Sequence, residues 1–143
     1  MLPFSVTLVP GESPYRQVVY AATKAVVSGV MLAGAPFPSV RDLSQALRIN
    51  PNTAHKVVQE LVRNGVLQVL PGVGTVVAEA TKASRTERRA LLSTQVEQLV
   101  VEARRLGVSE QDVLDAVAAR WVELSGATSE SSRAASDDAD ELE

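Results

Sequence analysis

Cysteine is missing from all 143 residues, which rules out a disulfide framework and a thiolate metal site. Histidine occurs once, at His55, and a single imidazole cannot build a zinc centre, so no metal or other cofactor is expected. Uninterrupted apolar runs are also lacking. The longest, Ala25 to Ala35, is broken by Ser28, Gly29 and Gly34, too short and too interrupted to span a bilayer. The opening residues carry Pro3, Pro10 and Gly11 without the basic cluster and apolar stretch of a signal peptide. No membrane role and a cytoplasmic, reducing setting are the expectations. Carboxylates are present, but Glu60, Glu79, Glu87 and Glu97 fall in separate capping or exposed helical contexts. With no nucleophile and base in register, nothing points to an enzyme.

Positive charge is in short supply as well, the net charge being -3. Its distribution changes the meaning of that figure. Residues 1–80 set Arg16, Lys24, Arg41, Arg48, Lys56 and Arg63 against Glu12, Asp42, Glu60 and Glu79, for a net +2. Residues 81–124 balance, and residues 125–143 hold Arg133 against acids only, for -5. That last segment, rich in Ser, Ala and Asp and with one Leu, is too poor in apolar side chains to offset the entropy of ordering, and a disordered acidic tail is expected. The length suits one small domain with an appendage.

Apolar periodicity supplies the elements. Phe4 to Val9 alternates loosely and reads as an edge strand before Pro10-Gly11. From Pro14 a helix is expected to about Met31 on the stripe Val18, Val19, Ala22, Ala25, Val26 and Val30. Ser39, with Asp42 three residues on, opens a short helix through Leu43, Ala46 and Leu47. After a turn of about three residues, Asn50 caps a further helix, Pro51 takes its first position, and Val57, Val58, Leu61 and Val62 form its buried side up to Asn64-Gly65. Val66–Leu70 and Thr75–Ala78 are β-branched runs joined through Pro71-Gly72-Val73-Gly74, a hairpin. The fold class is therefore mainly α with a small β-hairpin, a winged helix-turn-helix over 1–80. No internal repeat is visible.

Residues 81–124 read differently. Ser84 with Glu87 opens a helix with Leu92, Val96, Leu99, Ala103 and Leu106 on a narrow stripe up to Gly107. Ser109 with Asp112 opens another with Leu114, Val117, Trp121 and Leu124 on one side. Two short helices cannot enclose a core, so the seams are expected to pack on each other and on a second copy as a dimerisation arm. Core packing explains Trp121 and its neighbours more simply than an effector pocket does.

The run Ala46 to Leu61 is where residue types point beyond a fold to a function. A short helix and a tight turn lead into a helix that opens with polar side chains, as in a helix-turn-helix presenting its N-terminal end to DNA. Pro14-Tyr15-Arg16-Gln17, Phe37-Pro38-Ser39-Val40-Arg41-Asp42-Leu43, Asn50-Pro51-Asn52-Thr53, Asn64-Gly65 and Gly72-Val73-Gly74-Thr75 resemble, in order and spacing, the landmarks of GntR-family bacterial transcription regulators. The Asn-Pro-Asn-Thr opening and the short two-helix C-terminal part look most like the YtrA-like subfamily. The resemblance implies a homodimer on an inverted-repeat operator in double-stranded DNA, most often a repressor. A small-molecule effector, where one exists, would act by changing half-site spacing or ordering the arm.

Residue chemistry fits that implication, with plain alternatives beside it. Arg41 resembles the family arginine that reaches DNA and can clamp a guanine edge or a phosphate; otherwise it is a solvated helix charge. Ser39 caps in either case and sits where free N–H groups suit a phosphate oxygen. Asn52 can pair with adenine, Thr53 can meet a phosphate or a thymine methyl, and Lys56 can neutralise a phosphate. Capping alone accounts for Asn50, and His55 is equally well an exposed imidazole. Gly72 and Gly74 let a wing backbone come close to DNA, with Thr75 adding a hydroxyl, although any hairpin turn uses glycine. Pro51, and Leu70, Pro71 and Val73 in the wing, depart from the basic residues usual in the family. A wing of this composition adds little electrostatic affinity, and the alternative is a winged-helix protein-interaction module without DNA binding.

Overall fold

The structure, a computed structural model, describes residues 2–80 and 83–140, with residues 126–140 described as backbone only. The chain divides into two compact units, Met1–Ala80 with Leu124–Glu143 and Thr81–Glu123.

In the first unit α1 (Pro14–Val27), α2 (Val40–Leu47) and α3 (Pro51–Arg63) precede a hairpin of β1 (Leu67–Leu70) and β2 (Gly74–Val77). Each helix begins as its capping residue dictates. The Ser13, Ser39 and Asn50 side chains accept from the Arg16, Asp42 and Asn52 amides, each relieving one donor that the helix start leaves without a partner. Buried positions recur at helical spacing: Val18, Ala22 and Ala25 on α1, and Ala54, Val57 and Leu61 on α3. With Leu43, Leu67 and Val77 they form one core, in which each fully buried Leu or Val is worth about 1.5–3 kcal/mol.

The hairpin is antiparallel, with Leu67 opposite Val77 and Leu70 opposite Gly74. Its other edge is covered by a piece of chain that periodicity did not reveal. Gly34 N–H donates to the Val77 carbonyl at 2.8 Å, Val77 N–H to Ala35 at 2.9 Å and Phe37 N–H to Thr75 at 2.9 Å, with Pro36 bridging Val76. These bonds pair the free side of β2 and fix the approach to α2.

Two expectations for this unit are corrected by the structure. Phe4–Val9 is not a strand; Phe4 is buried by stacking on Phe37, ring centroids 5.8 Å apart, so its burial comes from a side-chain contact rather than a ladder. α1 stops at Val27, because Ser28 caps it and Gly29 turns left-handed at φ +81°, ahead of the end expected near Met31. In the helix-turn-helix, Arg48 closes α2 at φ +54°, the one non-glycine among the described residues with positive φ.

In the second unit, α4 (Arg85–Arg89), a π-helical segment (Ala90–Gln95) and α5 (Val96–Arg105) run consecutively, and α6 (Glu110–Asp140) follows. Ser84 and Glu87 form the complete reciprocal cap, and Ser109 accepts from the Asp112 amide. The π-helical turn interrupts what the stripe treated as one regular helix. Within a single chain the two seams bury little: between residues 83 and 125 only Ala103 is buried. The backbone of α6 continues through Asp140, where composition pointed to disorder from residue 125; beyond Gly126 that stretch has no Gly or Pro to break a helix. Residues 141–143 lie outside the described residues.

Candidate nucleic-acid interface

One side of α3 faces the core through Ala54, Val57 and Leu61, which leaves Asn52, His55, Lys56 and Gln59 exposed along the other. Spaced three and four residues apart, these side chains form one ridge. Thr53 is half-buried at its flank. Asn50 accepts from the Asn52 amide at 2.8 Å through Oδ1, which commits that oxygen to capping and leaves the side-chain NH2 as a donor. Nothing among the described residues of this unit covers the opening of α3, so its free N–H groups and polar side chains stand ready for an anionic partner.

Two further helix and turn features border this ridge in sequence. On α2, Ser39 Oγ accepts from the Asp42 amide at 3.1 Å and keeps its own O–H for donation, while Arg41 is exposed at the second position of the helix. Arg48, in the three-residue turn Arg48-Ile49-Asn50, is an exposed cation that sequence reasoning passed over. Its signal was available in the sequence: a basic residue just ahead of a helix opening. Gln59 was missed for another reason, since it lies beyond the motif positions and only the exposed ridge brings it in.

At the hairpin tip Gly72 and Gly74 have φ +77° and +114°, so the turn itself demands glycine, and both lie exposed. Thr75 is half-buried and its carbonyl is taken by Phe37. Val69 and Val73 are exposed, which makes the wing surface apolar rather than basic.

Glu60 also belongs to α3. Its carboxylate accepts from Arg63 Nη1 at 2.7 Å. Desolvation, then the neighbouring Glu60 carboxylate, holds the Tyr15 hydroxyl of α1 above its ordinary pKa. Arg63 is thus engaged within its own helix rather than left as a spare cation.

The arm residues are described by themselves. Leu92, Leu99, Leu106, Leu114 and Val117 are exposed, Leu92 at 63% and Leu106 at 61%, as are Val96 and Trp121; Leu124 is half-buried, and Ala103 is buried within the single subunit.

Comparison with known proteins agrees with this geometry. Residues 14–77 match the family described as bacterial regulatory proteins, gntR family. The HTH-type transcriptional repressor YtrA of Bacillus subtilis (strain 168) is 34% identical over 95 residues, which cover 66% of this chain and 73% of that protein. A transcriptional antiterminator from Listeria monocytogenes EGD-e superposes with TM-score 0.72 at 26% identity, over 85% of this chain and 93% of that one. A transcriptional regulator from Oenococcus oeni does so with TM-score 0.55 at 27% identity, over 82% and 99%. No helix among the described residues is long and apolar enough to cross a membrane. With a winged helix-turn-helix, an uncovered α3 opening and these relatives, the chain belongs to the GntR family, in its YtrA-like branch, and is a DNA-binding transcription regulator, not an enzyme.

Proposed function

We propose that this chain represses transcription in the cytoplasm by binding, as a homodimer, an inverted-repeat operator, with one α3 in the major groove of each half-site. The observation that carries the reading is the uncovered polar opening of α3, where Asn52, His55 and Lys56 are exposed while the helix is anchored by Ala54, Val57 and Leu61 behind them. In this arrangement Asn52 reads a base edge, Thr53 and Lys56 meet phosphates, and Arg41 and Ser39 hold the neighbouring backbone. Asn50, His55, Gly72, Gly74 and Thr75 complete the contact surface. Dimerisation is supported by the arm, whose exposed Leu92, Leu99 and Leu106 leave an apolar face that a second copy would cover. Repression is supported by the likeness to the Bacillus repressor.

Fluorescence anisotropy with duplex DNA from upstream of the gene tests this. Affinity is expected to fall steeply with salt, and to fall further for Arg41→Ala and Lys56→Ala. Absent or salt-insensitive binding would instead favour a winged-helix protein-interaction module.

A further inference from the structure

We propose that Arg85, Arg88 and Arg89 of α4 form a second DNA-backbone contact, supplying the phosphate attraction that the apolar wing lacks; this rests on the DNA-binding reading above. The three lie at i, i+3 and i+4, so one helix face carries all of them, and all are exposed. Their setting is unfavourable for the protein alone. Like charges at these spacings repel, and they sit at the start of a helical run, where the helix dipole disfavours cations. The acid among them gives no relief, since the Glu87 carboxylate is turned back to accept from the Ser84 amide at 3.2 Å. Among the described residues none of the three has an ion-pair partner, whereas Arg105 and Arg120 of the same unit pair with Glu102 and Glu123. A cluster built this way is relieved by an external polyanion.

Reach and charge both favour duplex DNA as that polyanion. The chain from Val77 at the end of β2 to Arg85 can span at most about 28 Å even fully extended, less than one ~34 Å helical turn of DNA. Chain connectivity thus keeps these arginines tethered within that length of the end of the hairpin. The wing itself presents Val69, Leu70 and Val73, so its own contribution to phosphate attraction is small. Arginine is well suited here because its planar fork grips two phosphate oxygens.

The test compares two full-length variants with the same reduction of charge, Arg88→Gln/Arg89→Gln and Arg104→Gln/Arg120→Gln, on a duplex of upstream DNA about four helical turns long and on a scrambled duplex of equal length. For the first variant the slope of log affinity against log salt should become shallower by about 0.9 for each phosphate interaction removed, on both duplexes, with base preference unchanged. The second variant should keep the slope of the unaltered protein. Equal slopes for the two variants would overturn the proposal. So would weaker self-association of the first variant in sedimentation with its salt slope intact, which would assign these arginines to acids of a second copy. If the unaltered protein shows no salt-dependent binding, the DNA-binding reading fails and this proposal with it; if it binds and only the first comparison fails, the reading stands and this proposal falls.

Discussion

Among single residues, the contacts proposed for α3 divide into those that hold and those that read. Lys56→Ala removes one phosphate interaction per subunit, so a dimer should show a salt slope shallower by about 2 and weaken equally on all sequences. Asn52→Ala should leave that slope alone and relax the preference at one base pair in each half-site, which a competition series of single-base operator variants would resolve. Arg48 combines strain with charge. Its left-handed backbone costs about 1–2 kcal/mol, partly offset on replacement by the ~0.5–1 kcal/mol entropy cost of glycine. Arg48→Gly is therefore expected to raise the melting temperature by a few degrees, read by thermal denaturation. Tyr15 gives a pH signature. Because its folded pKa is raised, its stabilisation is full below the ordinary tyrosine pKa and is lost as pH rises through the folded value. Denaturant titrations from about pH 8 upward should show the unaltered protein losing more stability than Tyr15→Phe.

For the elements, helix starts were legible because capping is local chemistry. Ser39, Asn50, Ser84 and Ser109 each accept from an amide two or three residues on, since a hydroxyl or amide oxygen just ahead of an apolar stripe has few other partners. Removing the Ser39 cap by Ser39→Ala should cost about 1 kcal/mol in urea unfolding and loosen the turn that carries Arg41. The hairpin was legible from its β-branched runs and glycines; Gly74→Ala, forced to φ +114°, should destabilise the wing although open space surrounds the new methyl. Other features could not be read locally. The pairing of residues 34–37 with β2 is a long-range backbone event without side-chain periodicity, and Phe4 is placed by the distant ring of Phe37. The π-helical turn leaves no mark on the spacing of Leu92, Val96 and Leu99, which is why that stretch reads as one regular helix. Of the candidate interface, the residue types were legible and the exposed ridge that adds Gln59 was not, because exposure depends on which side the core takes.

Across the molecule, the winged unit and the arm differ in how they meet water. The first has a closed core, whereas the arm holds Leu92, Leu99 and Leu106 in solvent with only Ala103 buried. Charging that face with Leu99→Glu should shift the protein toward single subunits in sedimentation equilibrium and lower operator affinity through the missing second half-site, without altering an isolated half-site contact. Whether the open end of α3 enters the major groove twice in one complex is decided by dimethyl sulfate protection of guanine N7 on the upstream DNA. Two protected clusters related by a twofold axis are expected, centred about one helical turn apart or a multiple of it, with protection reduced by Asn52→Ala and Lys56→Ala. Binding that leaves every major-groove N7 reactive, or that protects a single unpaired cluster at saturating protein, would contradict twofold docking through α3.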